Sequence, residues 1–193
     1  MSPWTIVRLI PGGVKAGELE QASPHRYHPL WQRKAEQMRI AVGSDSVQHI
    51  GEVVVNHLKS KGIEVVLCGA LKGETADYVD SGRAVAEKVA AKECDFGILL
   101  CNTGTGASIV ANKVPGVRAA LCVDTYGARI SKLANNANVL VLSMRLCGDM
   151  LAPEIIDEWL ATAPSTEPRR MAFHKKVDEL DAHYRSRAED SAK

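Results

Sequence analysis

Aromatic residues are scarce in this chain, at 5% of its 193 positions, and no cysteine pair falls into C-x-x-C spacing. Basic residues hold no advantage: 24 Lys and Arg face 23 Asp and Glu, for a formal net charge of +1. Without a basic excess there is no electrostatic footprint for a polyanion, so no nucleic-acid partner is expected. Long apolar runs are missing too. The stretch Phe96 to Cys101 is among the longest, far short of the roughly 20 residues a membrane-spanning helix needs, so no membrane partner is expected and the chain reads as soluble. The opening Met1-Ser-Pro-Trp-Thr-Ile-Val-Arg8 has neither a basic region leading into a long apolar core nor a small-residue cleavage site, and no export signal is read there. Five cysteines, Cys68, Cys94, Cys101, Cys122 and Cys147, are odd in number and scattered. They fit reduced thiols and a cytoplasmic location better than disulfides or zinc ligands.

What is present begins at Met38. Residues 1–37 carry four prolines and three glycines and hold no sustained period until about Leu30, so they read as an N-terminal extension. From residue 38 the pattern becomes short aliphatic runs separated by helix-period segments, the mark of βαβ alternation. Strands are expected at 39–43, 64–68, 96–101, 118–123 and 138–143. Helices are expected at 49–61, 80–92, 107–113, 126–135 and 150–162, with a charged terminal helix at 171–187. Because the strand runs are apolar on both faces, they suit a five-stranded parallel sheet covered by helices on each side, an α/β fold. The expected division is an extension at 1–37, one enzyme-sized domain at 38–187 and a frayed polar tail at 188–193.

Open parallel sheets bind ligands beyond the carboxyl ends of their strands. There the chain places Gly43-Ser44-Asp45-Ser46, Cys101-Asn102-Thr103-Gly104-Thr105-Gly106, Asp124-Thr125 and Ser143-Met144-Arg145. The loop after Cys101 says most. Gly104 and Gly106 let the backbone approach a ligand closely, and the amides leading into the next helix favour an anion, either a phosphate or an oxyanion formed during reaction. A field that favours an anion also favours a thiolate, which makes Cys101 a candidate base. Its plain alternative is a small buried hydrophobe beside a glycine turn. Asp45 suits sugar hydroxyls, or alternatively an N-cap for the first helix. Arg145 offers a planar fork for phosphate, or else a surface ion pair. Asn135, Asn136 and Asn138 form an amide cluster of a kind that ordinarily serves loop geometry. The run Arg169, Arg170, His174, Lys175, Lys176 reads as a solvated basic face able to reach phosphate on a neighbouring subunit.

These motifs are selective together. From Met38 to about Asp178 the chain resembles the ribose-5-phosphate isomerase B and galactose-6-phosphate isomerase subunit family. The carriers are Met38-Arg-Ile-Ala-Val-Gly-Ser-Asp45, Gly97-Ile-Leu-Leu-Cys-Asn-Thr-Gly-Thr-Gly106, Ala111-Asn-Lys-Val-Pro-Gly-Val-Arg-Ala-Ala-Leu-Cys122, Asp124-Thr-Tyr-Gly-Ala-Arg129 and Asn135-Asn-Ala-Asn-Val-Leu140. The resemblance implies a Rossmann-like three-layer α/β/α fold and a homodimer, or a dimer of dimers, with sites built across the subunit interface. It also implies cofactor-free, metal-independent aldose–ketose interconversion of a phosphorylated sugar. It assigns Cys101 to proton removal and return, and Thr103 with the amides of Asn102, Gly104, Thr105 and Gly106 to the enediolate oxygens. Asp45 and Asn135 then bind hydroxyls, Arg145 binds phosphate, and Ser46 and Lys176 stand at phosphate-side positions.

The departures from the family pattern are informative. Members acting on ring-forming sugars carry a histidine where this chain has Ala134, and a phosphate-side histidine where it has Ser46. The family's C-terminal arginines fall near Ala172 and Lys176, and Asn102 replaces a glycine. These changes imply a substrate that needs no ring opening, such as a tetrulose phosphate. Two other readings remain: a half-site or non-catalytic subunit of a hetero-oligomer, and a sugar-phosphate-binding regulator.

Overall fold

Strands that are apolar on both sides must be covered on both sides, and the computed structural model, which describes residues 38–191, shows that arrangement. Strands β1 (Arg39–Ser44), β2 (Glu64–Gly69), β3 (Phe96–Cys101), β4 (Ala119–Leu121) and β5 (Val139–Ser143) form one sheet ordered β2-β1-β3-β5-β4. Every pairing is parallel. The helices are α1 (His49–Ser60), α2 (Tyr78–Ala90), α3 (Thr105–Ala111), α4 (Thr125–Asn135), α5 (Leu151–Ala161) and α6 (Pro168–Ser191). Residues of α1, α4 and α5 share one apolar cluster with Ile40, Ile98, Leu140 and Leu142. Residues of α2 and α3 share the other with Ala41, Leu99, Cys101 and Val141. The result is the expected Rossmann-like three-layer α/β/α fold. The extension at 1–37 lies outside the described residues, and α6 runs on into the segment read as a tail.

Burial follows strand position. Central β3 and β5 are buried almost throughout, whereas the edge strands β2 and β4 are only partly covered. The open edge is latched by a side chain: Asn112 Oδ1 accepts from the Ala119 amide, and Asn112 Nδ2 donates to the Ala119 carbonyl, both at 2.9 Å. Strand β4 is shorter than expected, and it starts one residue late because the Arg118 amide donates to the Asn138 side chain at 2.7 Å instead of joining the ladder. Helix α2 starts earlier than expected because Asp77 caps it, accepting from the amides of Val79 and Asp80. It ends before Lys92, which is left-handed at φ 61°. Pro168 opens α6 at the position where a missing amide hydrogen costs nothing.

One core group is unusual. Lys132 on α4 is 2% exposed, with Nζ 3.4 Å from the Phe96 ring centroid and 3.9 Å from that of Trp159. Burial pushes its pKa from 10.5 down to about 7, with like-charge repulsion from Arg118 adding to the effect. The ring faces act in the opposite sense by favouring the ammonium. Between about pH 7 and 10.5 the unfolded chain therefore binds more protons than the folded one, and stability from this group rises with pH across that window. Melting curves of the wild type and Lys132→Met should show the wild type gaining relative to the variant as pH is raised from 7 towards 10.5. Parallel curves would mean that Lys132 stays charged in the fold.

Candidate active site

The carboxyl ends of β1, β3 and β5 lie side by side because Ser44, Cys101 and Ser143 close three adjacent parallel strands. The Met144 amide donates to the Cys101 carbonyl at 2.9 Å, and the Arg145 amide donates to the Asn102 carbonyl at 3.2 Å. Ser143 Oγ donates to that same Asn102 carbonyl at 2.9 Å. The loop after β3 is thus pinned to the loop after β5, which sets Arg145 beside Asn102 with its side chain exposed.

Strand alternation aims Cys101 at the α2–α3 face, in the same cluster as Leu99 and Ala107. It is 7% exposed, at the point where the strand gives way to the glycine-threonine turn. Gly104 sits at φ 78° in the N-cap position of α3. A β-carbon there would lie 2.4 Å from a Leu121 methyl as well as forcing a left-handed backbone, so glycine is required twice over. Thr103 Oγ1 accepts from the Thr105 amide at 3.4 Å, which folds the exposed Thr103 hydroxyl back over the turn. The amides of Gly106 and Ala107 lie in the first helical turn, where the helix itself supplies no acceptor. Gly106 leaves room for Tyr78, whose ring would come within 2.9 Å of a β-carbon at that position. Asp45 does not cap α1. Gln48 holds the N-cap position, and the Asp45 carboxylate accepts from Ser46 Oγ at 3.4 Å, just beyond the end of β1.

Asp45, Ser46, Cys101, Asn102, Thr103, Gly104, Thr105, Gly106 and Arg145 therefore gather at one edge of the sheet. Asn135 and Lys176 do not. Asn135 ends α4, close to Asn138, whose carbonyl accepts from the Gly97 amide at the start of β3. The strand rise from Gly97 to Cys101 puts about 13 Å between that edge and the thiol. Lys176 is exposed on α6.

The amino-terminal edge has its own cleft, of about 350 Å³, lined by Asn112, Arg118, Asn135, Phe173, His174 and Asp181 among others. Helix α6 is fastened beside it: Asp178 pairs with Arg118 at 3.1 Å, and Asp181 accepts from the Gly116 amide at 2.8 Å. Arg118 Nε is further held by the Asn136 carbonyl at 2.8 Å. Sequence reasoning did not single out Arg118, and it placed His174 on a basic face read as solvated yet able to reach phosphate on a neighbouring subunit. The available signal was the spacing of Phe173, His174, Val177, Asp178 and Asp181, which places all five on one side of a helix.

Two edges with complementary polar groups, one bearing a thiol and oxyanion-type donors and the other an arginine, an imidazole and an amide, suit a small hydroxylated anion. A family model described as Ribose/Galactose Isomerase matches residues 40–179. The chain belongs to this ribose/galactose isomerase family. It is 42% identical over 126 residues to ribose-5-phosphate isomerase B of Escherichia coli strain K12, covering 63% of this chain and 83% of that protein. It is 41% identical over 125 residues to the D-erythrulose-4-phosphate isomerase of Pectobacterium atrosepticum, with 64% and 82% covered. The solved ribose-5-phosphate isomerase B of Clostridium thermocellum superposes with a TM-score of 0.71 at 42% identity, over 76% of this chain and 99% of that one. As a member of the ribose/galactose isomerase family the protein is a sugar-phosphate isomerase. None of its described helices is long and apolar enough to cross a membrane.

Proposed function

We propose that this sugar-phosphate isomerase interconverts the aldose and ketose forms of a short open-chain sugar phosphate, best a tetrulose 4-phosphate, with Cys101 as the base and without a metal. The sulfur takes the proton from the carbon beside the carbonyl and returns it to the neighbouring carbon. Meanwhile Thr103 and the amides of residues 102–106 hold the enediolate oxygens, so no net electrons or atoms enter. Asp45 binds a hydroxyl, and Arg145 binds phosphate at the same edge. The working site is shared by two copies of the chain: Asn135, with Lys176 from α6, comes from the second copy, because within one chain Asn135 stands at the far edge of the sheet from Cys101.

The absence of an imidazole at Ala134 carries the chain-length reading. A pentose or hexose phosphate spends most of its time as a ring and needs an acid and a base to open it, whereas a tetrose whose C4 oxygen bears phosphate has no hydroxyl left to close a five-membered ring. The likeness to a D-erythrulose-4-phosphate isomerase supports the same choice. In a panel of tetrose, pentose and hexose phosphates, assayed before and after dialysis against EDTA, the four-carbon substrate should lead in kcat/KM by at least about tenfold, and the dialysis should change nothing. A clear lead for ribose 5-phosphate would reject the tetrulose assignment.

A further inference from the structure

The cleft at the amino-terminal edge contains an imidazole that is clamped by one nitrogen and free at the other. His174 Nε2 lies 2.8 Å from the Ala134 carbonyl oxygen. A carbonyl can only accept, so Nε2 carries the hydrogen, and in that tautomer Nδ1 is the ring's acceptor. No bond to Nδ1 is recorded among the described residues. The ring is also held through its helix, since Asp178 and Asp181, one and two turns further along α6, are tied to Arg118 and to the Gly116 amide. Half-buried and fixed at both levels, it shares the cleft with the Asn135 amide and the Arg118 guanidinium. An amide, a cation and an imidazole acceptor line one cleft, and the acceptor at Nδ1 calls for a hydroxyl donor.

The geometry points to His174 as a substrate-contacting, specificity-determining residue: its Nδ1 accepts a hydrogen bond from the sugar hydroxyl that takes no part in the enediol. In a four-carbon substrate that hydroxyl is the one on C3, between the reacting pair and the phosphate-bearing carbon. The assignment rests on the two-copy site proposed above, in which the second copy's cleft faces the substrate, and it does not depend on which group acts as base.

Binding tests it separately from turnover. 4-Phosphoerythronate and its 3-deoxy analogue are titrated by calorimetry into the wild type, His174→Phe and His174→Gln. The wild type should prefer the hydroxylated ligand by about tenfold, the worth of one good hydrogen bond. His174→Phe should bind both alike, and His174→Gln, whose amide can hold the Ala134 carbonyl and still offer an oxygen, should recover part of the preference. Matching melting temperatures for the three proteins would confirm that α6 stays docked. Equal weakening of both ligands in His174→Phe, a preference that survives it, or no binding by the wild type would each overturn the assignment. If the binding preference holds while no tetrose phosphate is turned over, the proposed reaction fails and the hydroxyl contact stands.

Discussion

Cys101→Ser should cost between about 10² and 10⁴ in kcat on every sugar phosphate the enzyme accepts, the range by which a positioned acid or base accelerates proton transfer. A serine hydroxyl fits where the thiol does, against Leu99 and Ala107, but it is a far weaker base precursor than a thiol. Circular dichroism and KM should change little, because the donors of the 102–106 turn are main-chain groups that the substitution leaves in place. The decisive readout is solvent exchange: wild-type enzyme should wash deuterium from solvent into the carbon beside the carbonyl, and the variant should not. If Cys101→Ser keeps full turnover, the sulfur is only one of five buried thiols and Asp45 at the same edge becomes the base to test.

The second large effect is a restoration. Asn135→Ala and Cys101→Ser homo-oligomers should each be nearly inactive. Unfolded together at equal amounts and refolded, they should recover about a quarter of wild-type activity, since half the dimers are mixed and each mixed dimer has one site with neither defect. A site assembled within one chain cannot behave this way, because every chain in the mixture carries a defect. No recovery would therefore return both residues to one subunit and contradict their placement at opposite edges of the sheet. A wild-type homo-oligomer that is itself inactive until a paralogous chain is added would favour the hetero-oligomeric reading.

Much of the fold is legible in the sequence alone. The five strands and six helices fall where hydrophobic periodicity puts them, because a sheet buried on both faces writes itself as continuous aliphatic runs such as Gly97-Ile-Leu-Leu-Cys101. The boundaries moved where side chains intervened, as at Asp77 and Asn138, since a cap or a side-chain bond to the backbone leaves no periodic trace. The candidate residues that follow strands share one edge, as expected, because the carboxyl edge of a parallel sheet is one place. Asn135 and Lys176 lie away from that edge in the same chain, because the end of a crossover helix returns to the other edge, and local sequence does not show which copy's substrate it then meets. The fastening of the helix that carries His174 was hidden for a simpler reason. In a run of Arg, His and Lys, composition says solvent, and only the spacing of Asp178 and Asp181 says that this helix is fastened down.

The Asn112 latch guards one edge of the sheet. By holding both polar groups of Ala119 at the open border of β4, it denies an incoming strand the docking points from which a continuous intermolecular sheet would grow. That border is closed to strand addition at Ala119, where an exposed edge could otherwise recruit the strand of another chain.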